Sequence, residues 1–110
     1  MARLDAGRLA RQMTEAAGEV LTDSWPEIEE YAKAEFEKIA RTILLVETLR
    51  KRGKISQREA KLHFRIQRNA AQTVLLTAKG LGLLAAEQAI NAALKVVKDT
   101  VNTALGFRLI

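Results

Sequence analysis

The sequence predicts an all-α protein, an antiparallel up-and-down bundle of about four helices forming one domain over residues 1–110. Three observations predict it. Alanine, leucine, glutamate, lysine, arginine and glutamine dominate the chain, while proline occurs once and glycine six times. Apolar residues recur at three- and four-residue steps, and no segment alternates like a strand for long. Capping chemistry marks the places where that rhythm stops.

The boundaries fall at about 3–22, 25–52, 56–79 and 82–105. In the first segment Leu9, Met13, Ala16, Ala17, Val20 and Leu21 make an amphipathic stripe that ends before Ser24. Ser24 and Glu27 then have the spacing of a capping box, and Pro26 suits a first turn. From there Ile28, Ala32, Phe36, Ile39, Ile43 and Val46 face one way, with Lys33, Glu37, Arg41 and Thr48 on the other side.

Gly53 supplies a left-handed stop after Arg50, Lys51 and Arg52, whose charges suit the negative end of a helix. Ser56 and Glu59 repeat the capping-box spacing, so the third helix starts at once and runs antiparallel to the second. Its stripe is read as Leu62, Ile66, Ala70 and Val74.

Gly80 and Gly82 would together cost roughly 2 kcal/mol inside a helix, which favours a break there. The alternative is an unbroken rod of about 50 residues, roughly 75 Å long. The last helix carries Leu83, Ala86, Ile90, Ala93, Leu94, Val97 and Val101, and Gly106 is placed to cap it.

The absence of cysteine excludes disulfides, thiolate metal ligands and a cysteine nucleophile. It also fits a reducing compartment. The charged N-terminal residues argue against an export signal, and Lys79, Glu87, Lys95, Lys98 and Asp99 interrupt the most apolar stretch. A cytoplasmic chain without a transmembrane segment is expected.

Catalytic motifs are absent. Gly80-Leu81-Gly82 lacks the third glycine and preceding strand of a dinucleotide loop, and the cap serines stand away from His63. A non-enzymatic role follows as the expectation.

Charge is polarised along the chain. The formal total is +5, yet residues 50–68 hold eight cations against Glu59 alone, which is +7, and leave −2 for the rest. Acidic residues crowd between Glu15 and Glu37, with Lys33 among them. Arg50, Arg52, Lys54, Arg58, Lys61, Arg65 and Arg68 form a candidate anion-binding tip, open to nucleic-acid phosphate, a membrane headgroup or the acidic end of another subunit, for which Glu27, Glu29, Glu30, Glu35 and Glu37 are candidates. Arg58 and Lys61 oppose the dipole of the helix they begin, a conflict a bound anion would relieve. Phe64 is the tip's one aromatic residue, so base stacking is not expected.

Glu59 and His63 are four apart on one helical face, and hairpin pairing about residue 54 would bring Glu47 near them. Such a set suits iron or manganese. It is similar to the carboxylate sites of ferritin-like bundles in Glu47 and the Glu59/His63 pair, although the spacing here is Glu-x-x-x-His and occurs once. No cofactor is otherwise expected.

The leading expectation is an interaction module. Leu83, Ala86, Ile90, Leu94, Val97 and Val101, with the apolar tail residues Phe107, Leu109 and Ile110, offer more hydrophobic surface than one small bundle hides, so a homo-oligomer built on the last helix is predicted.

Overall fold

A computed structural model describes residues 4–78 and 80–110. The described residues are 85% helical and contain no strand, as the composition predicts. Helix α1 spans Ala6–Leu21, α2 Trp25–Lys51, α3 Gln57–Thr77 and α4 Leu83–Leu105. The expected start at residue 3 and end at residue 79 lie outside the described residues.

The first boundary differs from expectation. Thr22–Ser24 form a 3-10 turn that joins α1 to α2 with no non-helical gap. Residues 6–51 therefore make a helical run of 46 residues, and there are three uninterrupted runs instead of four. That run is bent sharply, because its two limbs pack on each other. Four axes result.

The bend is made at Thr22, whose φ of 37° is unusual for a residue with a side chain. Gly18 lets the chain fold back, since the Trp25 indole lies where a Cβ would stand, 2.8 Å away. Ser24 has helical backbone angles and makes no side-chain cap, so the expected Ser24–Glu27 box does not form. An N-cap needs extended backbone to aim its oxygen at the following amides. Asp5 does so for α1, accepting from Gly7 N–H at 2.9 Å and Arg8 N–H at 3.3 Å.

The second boundary follows the sequence closely. Gly53 sits at φ 67°, Lys54 N–H donates to Leu49 O at 2.8 Å, and Gly53 N–H donates to Arg50 O at 3.0 Å. Ser56 then accepts from Glu59 N–H while the Glu59 carboxylate accepts from Ser56 N–H, both at 3.0 Å. The break at Gly80 and Gly82 also exists, with Gly82 as N-cap of α4 and Gly80 at φ 79°. Gly106 ends α4 in the left-handed conformation.

Around the bundle the order is α1, α2, α3, α4. Contact is extensive between α1 and α4, α1 and α2, and α2 and α3, and sparse between α3 and α4. Alanines suit the tight joint: Ala17 of α1 and Ala86, Ala89 and Ala93 of α4 are buried, and small side chains let backbones approach. The α2 stripe from Ile28 to Val46 is buried as predicted.

One stripe differs from expectation, that of α3, while Leu9, Met13, Ala17 and Leu21 of the α1 stripe are buried. The core face of α3 is Ala60, Phe64, Ala71 and Leu75, whereas Leu62 is 54% and Ile66 60% exposed. Val20 of α1 is also exposed. In α3 the bulkier stripe points outward, so the rule that the more apolar face is the buried one fails.

Candidate functional site

The loose α3–α4 seam opens into a groove of about 630 Å³. One face of α3 contributes Lys61, Phe64, Arg65 and Arg68, at steps of three, one and three that keep them on one side of the helix. One face of α4 contributes Asn91, Leu94, Lys95 and Lys98 at the same steps. Asn69, Leu109 and Ile110 complete the lining.

The floor is apolar, since Phe64, Leu94 and Leu109 are all buried. The rims carry five cations, and among the described residues no acidic side chain lines the groove. Arg68 Nη2 donates to Asn91 Oδ1 at 3.0 Å, the side-chain bond that bridges the two rims. Elsewhere the charge is balanced: the cleft between α1 and α2 sets Arg11, Lys33 and Arg41 against Glu29 and Glu37.

Repulsion between the rims accounts for the width of the seam. Cationic side chains facing each other across a helix pair resist the close approach that alanines allow between α1 and α4. The same arrangement produces a positive field in the groove.

Three of the seven predicted anion-binding residues, Lys61, Arg65 and Arg68, converge here. Arg52, Lys54 and Arg58 stand exposed around the tip. Arg50 has a structural role: its Nη1 donates to Ile55 O at 2.8 Å, and its Cζ lies 5.6 Å from the Phe107 ring centroid. Lys95 and Lys98 were not singled out, because nothing in the primary sequence brings residue 95 to residue 65. Their spacing of three on one helix face was the available signal.

The groove floor is held by Asn102. Its Oδ1 accepts from Leu109 N–H at 2.9 Å and Ile110 N–H at 3.0 Å, and its Nδ2 donates to Ile110 O at 3.3 Å. The tail is thereby docked on its own bundle. Of the residues expected at an oligomer interface, Ala86, Ile90, Leu94, Val97, Val101 and Leu109 are buried in the chain's core, Phe107 and Ile110 are half-buried, and Leu83 alone is exposed. Four helices and a folded-back tail suffice to cover the α4 stripe.

Glu59 and His63 lie near each other on α3, and Glu47 does not join them as a set of three. Glu47 lies 3.5 Å from Lys51 Nζ and borders a recess with Ala104 and Leu105, toward the end of α4. Glu59 closes the cap of α3, and the Ser56 backbone N–H it accepts holds its carboxyl below the ordinary value, with the Ser56 hydroxyl adding to the effect. His63 is exposed. Among the described residues no three histidine or acidic side chains gather as a metal site. Helix α3 turns Ala60 and Phe64 to the core, which leaves Glu59 and His63 to one side.

Among the described residues no helix is long and apolar enough to cross a membrane. Compared with protein-family models, curated proteins and solved structures, the chain matches none.

Proposed function

We propose that this chain is a non-enzymatic binding module whose α3–α4 groove holds a linear polyanion, the phosphodiester backbone of nucleic acid. The observation that carries the reading is the ladder of Lys61, Arg65, Arg68, Lys95 and Lys98 along two rims with no acidic side chain between them among the described residues. Cations strung along successive helical turns suit repeated charges on a strand, whereas a single headgroup would call for convergence at one point.

Base identity is not read in this proposal. Phe64, the aromatic residue of the groove, is 6% exposed and offers no face for stacking. Affinity would come from phosphate contacts and released counterions, with dissociation constants of roughly 10⁻⁴–10⁻⁶ M near physiological salt.

The test is fluorescence anisotropy with mixed-sequence single- and double-stranded oligonucleotides across a salt series. If all five cations are engaged, log K should fall against log salt with a slope of about −3.5 on single strands and about −4.5 on duplex. Changing Arg65, Arg68, Lys95 and Lys98 to glutamine should abolish binding, while Lys33→Gln with Arg41→Gln should leave it intact. Undiminished binding by the groove variant, or none by the wild type at about 50 mM salt, would overturn the proposal.

A further inference from the structure

The outward face of α3 carries a second regular pattern. Leu62, Ile66, Asn69, Thr73 and Leu76 follow one another at steps of four, three, four and three, the spacing of a coiled-coil seam. All are exposed, with Leu62 at 54%, Ile66 at 60% and Leu76 at 40%, and none is ionisable. Leu45 of α2 is also exposed, at 53%, and hairpin pairing about residue 54 sets it level with His63. The chain's own core does not use this seam, and its middle residue, Asn69, also borders the α3–α4 groove.

We propose that a second copy of this chain covers the seam, with the two α3 helices antiparallel about a two-fold axis at Asn69. The pattern is self-complementary in that arrangement. Leu62 and Leu76 are each seven residues from Asn69, so Leu62 of one copy meets Leu76 of the other. Asn69 meets Asn69, whose amide can donate and accept across the axis, and a polar residue at such a position fixes register.

Charge selects the antiparallel arrangement over the parallel one. Parallel packing would set the two +7 tips side by side. Antiparallel packing puts the tip of one copy, with Arg52, Lys54 and Arg58, beside the C-terminal end of α3 in the other. That end borders Glu27 and Tyr31 at the start of α2, within the most acidic part of the chain. Opposite charges therefore meet at both ends of the interface.

A five-residue seam is short of the roughly 1,200 Å² that a standard stable interface buries. Leu45 and the charged ends have to extend it, and dissociation in dilute solution is expected.

Absence of cysteine makes a direct test clean. Sedimentation should show twice 12.2 kDa at high protein concentration, and Ile66→Glu, an exposed substitution that spares the core, should return the monomer. Under oxidation Asn69→Cys should cross-link to itself, Leu62→Cys alone should not, and mixed Leu62→Cys and Leu76→Cys chains should cross-link to each other. A monomer at every concentration overturns the proposal. So does a dimer untouched by Ile66→Glu, or self-cross-linking of Leu62→Cys, which marks a parallel pair.

Discussion

Arg50 reaches from the end of α2 to Phe107 beyond the end of α4, placing its guanidinium 5.6 Å from the ring centroid while donating to Ile55 O. One side chain thus ties the hairpin turn to the tail. Its Nε is buried without a hydrogen-bond partner among the described residues, a cost set against those two contacts.

Arg50→Ala is expected to lower stability by about 1–3 kcal/mol through loss of the Ile55 bond and the ring contact. Arg50→Lys should not restore it, because an ammonium lacks the planar fork that serves both partners. Urea unfolding measures the difference.

Asn102→Ala should release Leu109 and Ile110, since three hydrogen bonds converge on that amide. The loss should be about 1–3 kcal/mol, with faster hydrogen exchange at both tail amides. Asn102→Asp keeps the acceptor for two bonds and should lose less.

The corner between α1 and α2 predicts two changes of opposite sign. Gly18→Ala drives a methyl into the Trp25 indole, 2.8 Å from Cε2, and should destabilise by about 1–3 kcal/mol. Thr22→Gly removes strain at φ 37° and should raise the melting temperature, because strain of about 1–3 kcal/mol exceeds the roughly 0.5–1 kcal/mol of added chain freedom.

Glu59 makes a prediction about acid. Its folded-state pKa lies below the ordinary 4.5, so its contribution is present above that value and lost as pH falls through the lower folded value. Helix α3 should fray first at Gln57 on acidification. Glu59→Gln should flatten that part of the acid profile of melting temperature, whereas a profile unchanged by the substitution would show that the cap carries no proton linkage.

Much of the architecture was legible because local chemistry dictated it. Ser56, Glu59, Gly53 and Gly106 each do at the backbone what their residue type does best, and the α2 stripe from Ile28 to Val46 has one reading. The boundary at 22–25 was legible, but the unbroken turn that makes it was not, since no glycine or proline stands at Thr22 and the close packing there involves Gly18 and Trp25 across the turn. In α3, Leu62 and Ile66 outweigh Ala60 and Ala71 in hydrophobicity, so periodicity chose the outward face. Small residues bury where another helix comes close, and that is a tertiary fact. The groove was half legible: the α3 rim lies in the basic stretch, but Lys95 and Lys98 join it only through packing.

The ring of helices is closed by its first and last members, and this orders folding in time. Neighbours along the chain can pair as soon as both exist, but α1 meets α4 across the 62 positions from Leu21 to Leu83. Closing a flexible loop of that length costs roughly 4 kcal/mol of chain entropy beyond a constant. The α2–α3 hairpin, pinned by Gly53 and the Ser56–Glu59 cap, is therefore expected to form early, with α1 left half-covered until α4 arrives. On a ribosome that moment waits for α4 to emerge, and core substitutions in α4 should slow folding least where they speed unfolding most.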